Sequence, residues 1–103
     1  NKYSYWYALF ILGVAYYQLG HFNDALKQFS EAKSLFLSPE ILNNIGVCMK
    51  RLGENASQSF KDAIALKPDY IDAKKNLEKI ESVSLTLLPL RTHTHRGRYS
   101  EAT

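Results

Sequence analysis

The feature that most constrains this chain is a set of small and aromatic residues that occurs twice in the same order. The matched pairs are Gly13 with Gly46, Gly20 with Gly53, Phe29 with Phe60, and Ala32 with Ala63. The glycine pairs are separated by 33 residues and the other two pairs by 31. Self-similarity at such a period is typical of structural repeats that stack, because a single repeat cannot bury its own apolar face.

The repeated small residues predict helices that approach one another closely. Gly13 and Gly46 lie inside segments of helical periodicity, where glycine costs about 1 kcal/mol relative to alanine. We expect a second helix to pack directly against each glycine and offset that cost. The alanines expected to give the facing helix a small surface are Ala25, Ala32, Ala56 and Ala63. Gly20 and Gly53 follow the two segments, and a left-handed conformation there would reverse the chain into antiparallel helix pairs.

Apolar residues recur at intervals of three and four from Tyr5 to Ile80, which is the period of amphipathic helices. Glycine, proline and capping residues divide this span into five predicted helices. The expected helices are 4–19, 23–36, 38–53, 56–67 and a fifth that follows Pro68. The expected N-caps are Asn23 for the second helix, Ser38 for the third and Asp69 for the fifth, and Pro39 lies in the first turn of the third helix. No segment before residue 82 alternates as a strand does, so the predicted fold class is all-α.

This ordered set of residues resembles the tetratricopeptide repeat, a helix pair with the pattern Trp-x2-Leu-Gly-x2-Tyr, then Ala-x3-Phe, then Pro. The matching residues of the first unit are Leu9, Leu12, Gly13, Tyr16, Ala25 and Phe29. Those of the second unit are Leu42, Ile45, Gly46, Met49, Ala56, Phe60 and Pro68. The resemblance implies an alpha-alpha superhelix of stacked antiparallel helix pairs over residues 1–81, with two repeats and a C-terminal cap helix. Glu78 occupies the glycine position of a third unit, which favours a cap over a further repeat.

The two units depart from that pattern in two places. The first unit has Leu37 at the proline position, and Pro39 follows two residues later. The second unit has only two residues between Gly53 and Ala56, where the first has four, and lacks a counterpart of the aromatic Phe22. We therefore expect a tighter turn and a shortened fourth helix in the second unit.

The resemblance also implies where a partner would bind. Such solenoids present a concave face made mostly of the first helix of each pair, and the family uses it to hold an extended peptide or a partner helix. The groove residues carried over are Tyr7, Phe10, Val14, Tyr17 and Gln18 from the first helix; Asn43, Asn44, Val47, Lys50 and Arg51 from the third; and Asn76 and Lys79 from the fifth. Amides bond a peptide backbone of any sequence and the basic groups pair with carboxylates, so the hypothesis is a hydrophobic and acidic peptide ligand.

Two other interpretations of these residues stay open. Phe10, Val14 and Tyr17 could pack against a preceding repeat, which would make the chain a structural segment of a longer array without a ligand of its own. The aromatic residues that crowd the N-terminal end also favour a homo-oligomer formed through that end. These residues are Tyr3, Tyr5, Trp6 and Tyr7.

The net charge of +3 arises mostly at the C-terminal end. Residues 82–103 contribute three arginines and one glutamate, whereas residues 1–81 carry ten basic and nine acidic residues. We expect an extended or disordered basic tail over 82–103, either native or added for expression. Contact between this tail and nucleic acid or membrane is the third and weakest functional hypothesis.

The remaining motifs do not point to catalysis. His93 and His95 lack further metal ligands nearby, and Cys48 has no histidine base among its sequence neighbours, so we expect Cys48 to be a small core residue. We expect neither an enzyme nor a cofactor, metal or small-molecule substrate. The single cysteine favours a reducing compartment, and we expect a cytoplasmic chain, cut from a longer one because it begins at Asn1.

Overall fold

A computed structural model describes residues 2–81 of the chain, and the predicted tail over 82–103 lies outside them. Within the described residues there are five helices and no strand. The helices are α1 (Lys2–Gln18), α2 (Phe22–Leu35), α3 (Pro39–Arg51), α4 (Ser57–Leu66) and α5 (Ile71–Glu81). The all-α prediction and the number of helices are confirmed for this part of the chain.

Two glycines end α1 and α3 in the same way. Gly20 has φ of 83° and Gly53 has φ of 79°, the left-handed conformation that costs glycine little. The N–H of His21 donates to the Tyr16 carbonyl at 2.9 Å, and the N–H of Glu54 donates to the Met49 carbonyl at 2.9 Å. These bonds satisfy carbonyls at the helix end that have no partner inside the helix, and they turn the chain back on itself.

The N-cap predictions are right at one helix and wrong at two. Ser38 caps α3, with its Oγ accepting from the Ile41 N–H at 3.1 Å. Asn23 does not cap α2, because the turn at Gly20 places His21 at the cap position and Phe22 at the first helical position. Asp69 lies in a turn closed by the Tyr70 N–H on the Lys67 carbonyl at 2.9 Å, so α5 begins only at Ile71.

The fourth helix is shortened, as the missing residues in the second unit predict. Helix α4 has 10 residues where α2 has 14. With only two residues between Gly53 and Ala56, the chain enters α4 through a short turn in which Asn55 Oδ1 accepts from the Ser57 N–H at 3.0 Å. The helix pair is therefore asymmetric, although its central contacts repeat those of the first pair.

The core is built from those repeated central contacts. Helix α1 packs on α2, α3 packs on α4, α2 packs on α3, and α5 packs on α4 and α3. A Cβ built at Gly13 would lie 2.6 Å from Phe29 Cε1, and one at Gly46 would lie 2.6 Å from Phe60 Cε1. The close approach predicted at both glycines is thus confirmed. The predicted alanines Ala25, Ala32, Ala56 and Ala63 are all buried.

Candidate protein-binding surface

The first helices of the repeats, α1 and α3, share a register with α5. Phe10, Asn43 and Asn76 are spaced 33 residues apart and occupy one equivalent position. Asn76 Nδ2 donates to Asn43 Oδ1 at 2.9 Å, and Asn43 Nδ2 donates to Asn44 Oδ1 at 3.4 Å. This chain of amides ties α5 to α3, so the fifth helix continues the series of first helices. In this register Lys79, and not Glu78 as predicted, occupies the position of Gly13 and Gly46.

Six of the predicted groove residues are buried and do not line an open surface. They are Phe10, Val14, Asn43, Asn44, Val47 and Asn76. The amides are fully buried, and Asn76 bonds to Asn43 between α5 and α3. Their contact with a peptide backbone stays a prediction. The apolar residues belong to the core, where the ring centroids of Phe10 and Phe29 lie 5.7 Å apart.

The other six predicted residues reach the surface. Gln18 and Arg51 are exposed. The half-buried members are Tyr7, Tyr17, Lys50 and Lys79. The accessible part of the predicted face therefore consists of two aromatic residues, three basic residues and the amide of Gln18.

Arg51 lies over two aromatic rings of the first repeat. Its guanidinium carbon is 4.8 Å from the centroid of the Phe22 ring and 5.8 Å from that of Tyr17. The two rings meet edge to face with centroids 5.2 Å apart. Cation–π contacts at exposed sites contribute about 0.5–1 kcal/mol each, so the rings orient the guanidinium while leaving its N–H groups open. Phe22 was not predicted as a site residue. The sequence feature that could have indicated its role is that the second unit has no aromatic residue equivalent to it.

The first helix pair matches a known family. A family model for the tetratricopeptide repeat matches residues 6–36, which span most of α1 and all of α2. Residues 6–36 therefore match a single tetratricopeptide repeat, and the described residues as a whole form an all-α helical-repeat fold. No curated protein and no solved structure matches the chain. Tetratricopeptide repeats generally mediate protein–protein interaction and are typically not enzymes.

Burial favours the neutral forms of two titratable side chains on this face, Tyr17 and Cys48. Burial raises the pKa of the Tyr17 hydroxyl, with Arg51 opposing the rise and Cys48 adding to it. Burial also raises the pKa of the Cys48 thiol from 9.0 to about 12, and the side chain is fully enclosed. The prediction that Cys48 is a core residue is confirmed, and its thiol stays protonated at neutral pH.

A cleft of about 370 Å³ lies next to the Phe22 ring that contacts Arg51. It lies between the turn that follows α1 and the end of α3. Its lining residues are Gly20, His21, Phe22, Asn23, Asp24 and Leu52. Phe22 therefore forms both one wall of the cleft and the ring beneath Arg51. Across residues 2–81 no group of three His, Cys, Asp or Glu side chains could hold a metal ion, and no helix there could span a membrane.

The aromatic residues at the N-terminal end divide between the repeat's own core and the surface. Trp6 stacks on Phe36 with ring centroids 4.6 Å apart and meets Tyr7 edge to face at 5.5 Å. Trp6 and Tyr7 are thus half-buried by their own chain, whereas Tyr5 is exposed. The side chain of Tyr3 lies outside those described.

Proposed function

We propose that this helical-repeat protein binds a polypeptide that carries an acidic group, with Arg51 as the anchor and Tyr17 and Phe22 as its platform. The supporting observation is the geometry of Arg51, whose guanidinium lies over both rings. Among the described residues, no carboxylate lies within 4.0 Å of it. A guanidinium that is oriented in this way, with no acidic partner within residues 2–81, is placed to pair in bidentate fashion with a carboxylate of a ligand.

The neighbouring side chains supply a mixed surface for such a ligand. Lys50 precedes Arg51 on α3, and Tyr7 and Tyr17 offer half-buried aromatic area on α1. Gln18 provides an exposed amide at the end of α1 for a peptide backbone. The ligand class that fits best is an apolar segment ending in an acidic side chain or a terminal carboxylate.

The buried amides have a different role in this proposal. Asn43 and Asn76 hold α3 and α5 in register, so they fix the position of Lys79 relative to the rest of the face. They support the surface without touching the ligand.

The test is selection of peptides from a random display library against the full chain, followed by fluorescence anisotropy on synthesised hits. We expect enrichment of acidic residues, and a loss of at least about tenfold in affinity for Arg51→Gln, since a hydrogen bond to a charged group contributes about 1.5–3 kcal/mol. Arg51→Lys should retain part of the affinity, and binding should weaken as salt is raised.

Lys61→Gln is the matched control, because Lys61 is an exposed cation on α4, a different helix from the one that carries Arg51. Hits without acidic residues, or equal affinity for Arg51→Gln and the parent chain, would refute the proposal.

A further inference from the structure

One face of α1 and of the turn that follows it is apolar and exposed. We define this α1 outer face by six residues that are all exposed: Tyr5, Ala8, Ile11, Leu12, Ala15 and Leu19. Residues 3–20 contain no Asp, Glu, Lys or Arg, so no charged side chain interrupts the face. A helix that is apolar on all sides is normally buried on all sides, and an exposed apolar surface of this extent marks an interaction site.

The equivalent face of α3 is buried. The residues that lie 33 positions after Tyr5, Ala8, Leu12 and Ala15 are Ser38, Ile41, Ile45 and Cys48. None of these four is more than 7% exposed, whereas Leu12 is 42% exposed. The two first helices therefore differ in what covers them at the same position of the repeat.

The helix that covers this face of α3 is α2, which directly precedes it in the chain. Helix α3 packs on α4 as α1 packs on α2, and α3 has α2 as a further neighbour. A shallow cavity marks the place where α2 and α3 meet, and it is lined by Ser30, Lys33, Ser34, Leu37 and Ile45. Ile45, the equivalent of Leu12, thus faces α2. Within residues 2–81, α1 is the first helix and has no counterpart of α2.

Helix α5 shows the composition of this face where no helix covers it. The residues that lie 66 positions after Tyr5, Ala8 and Leu12 are Ile71, Lys74 and Glu78, and all three are exposed. Helix α4, which precedes α5, has 10 residues against 14 in α2 and leaves them uncovered. Two of the three are charged, as suits contact with water. The α1 outer face therefore combines the apolar composition of the covered α3 face with the exposure of the uncovered α5 face.

We infer that the α1 outer face docks a helix that precedes α1 in the same polypeptide and packs on it as α2 packs on α3. The side of that helix opposite Leu12 is free of charge, because a charge buried against Leu12 would have no partner. Small residues there, such as Ser30 and Ser34 on α2, would let the two helices approach closely. Helix α1 begins at Lys2, whereas α3 begins at Pro39, the equivalent of Trp6. The connection would therefore reach α1 about one turn earlier than the α2–α3 connection reaches α3.

The test is a helix grafted onto the full chain. A copy of residues 21–38 replaces residues 1–5, which places an α2-like helix ahead of α1 with the connection that joins α2 to α3. The melting temperature of this grafted chain should exceed that of the parent chain by at least about 5 °C, because the graft removes apolar surface from water. Leu12→Glu should remove the gain in the grafted chain and change the parent chain little, since Leu12 is exposed there.

Leu66→Glu is the matched control, because Leu66 is 46% exposed and lies at the end of α4. Its effect on the melting temperature should be the same in the parent and the grafted chain. A graft that does not raise the melting temperature, or a gain that survives Leu12→Glu, overturns the inference.

A thiol reagent shows where the grafted helix lies. Leu12→Cys should react with Ellman's reagent readily in the parent chain and at least about tenfold more slowly in the grafted chain, because a packed helix must open to admit the reagent. Cys48 is buried and contributes little signal, and Leu66→Cys should react equally in both chains. Equal reactivity of Leu12→Cys in both chains would show that the grafted helix lies elsewhere, which overturns the inference.

The same reagent detects another occupant of the face. Protection of Leu12→Cys in the parent chain that increases with protein concentration would show that a second copy covers the α1 outer face, and it would overturn the inference. The result does not depend on the proposed peptide site, because Arg51 and Phe22 lie outside the α1 outer face. Arg51→Gln should therefore leave the protection in the grafted chain unchanged.

Discussion

Asn76 Nδ2 donates to Asn43 Oδ1 at 2.9 Å and joins equivalent positions of α5 and α3 that are 33 residues apart. Both side chains are fully buried, so neither can exchange its partner for water. The fifth helix is therefore held by a specific polar contact in addition to its apolar packing. Such a contact favours one register of α5 over neighbouring ones, because a slipped helix would leave buried amides unsatisfied.

The first prediction concerns this contact. Asn76→Ala should lower the free energy of unfolding by about 1–3 kcal/mol, because it leaves the buried Asn43 carbonyl oxygen without the Asn76 donor. Urea denaturation followed by circular dichroism measures the change. The double variant Asn43→Ala with Asn76→Ala should lose less than the sum of the single variants. Strict additivity would mean that the two amides are not coupled.

Most of the fold could be predicted from residues whose effect is local. Gly20 and Gly53 end helices through their own backbone conformation, and Ser38 caps α3 through a bond that spans three residues. The starts of α2 and α5 could not be read in this way. There the turn geometry at Gly20 and at Lys67 decides where the helix begins, and it overrides the capping preference of Asn23 and Asp69.

The second prediction concerns the close approach of α4 to α3. Gly46→Ala should destabilise the protein by about 1–3 kcal/mol, because the new methyl group would overlap the fully buried Phe60 ring. The cost of this overlap exceeds the gain in helix propensity from replacing glycine with alanine. Thermal and urea unfolding measure this loss. Adding Phe60→Leu should recover part of it by removing the ring atoms nearest the new Cβ. If Gly46→Ala alone is as stable as the parent chain, the ring moves more freely than its burial implies.

The third prediction concerns the start of α3. Ser38→Ala should cost about 0.5–2 kcal/mol, because the Ile41 N–H loses its acceptor at a buried helix end. The matched control is Ser30→Ala, which alters an exposed serine within α2 and should change stability little. Equal effects of the two substitutions in urea denaturation would contradict a capping role for Ser38.

The binding surface was less predictable than the fold, and the amides show the reason. Spacing alone places Asn43, Asn44 and Asn76 on helices that line a groove, but it does not show whether an amide faces a ligand or another amide. That outcome depends on how closely α5 approaches α3, which is a long-range property. Arg51 and Phe22 are similarly distant in sequence, so their contact could not be read from either local segment.

The fourth prediction is a pH dependence that originates at Cys48. Burial raises the pKa of its thiol from 9.0 to about 12, so below pH 9.0 the thiol is protonated in both the folded and the unfolded chain and the full stability is present. Above pH 9.0 the unfolded chain releases the proton while the folded chain keeps it, so the free energy of unfolding falls as pH rises, by up to about 1.4 kcal/mol per pH unit, until the folded thiol ionises too. Cys48→Ala should make this decline shallower in urea denaturation. Both proteins carry Tyr17→Phe for this comparison, because Cys48 also adds to the rise in the pKa of Tyr17. Identical slopes would mean that the thiol becomes accessible to water before the chain unfolds, in which case a thiol reagent such as Ellman's reagent should modify Cys48 in the native protein at the rate of a free thiol.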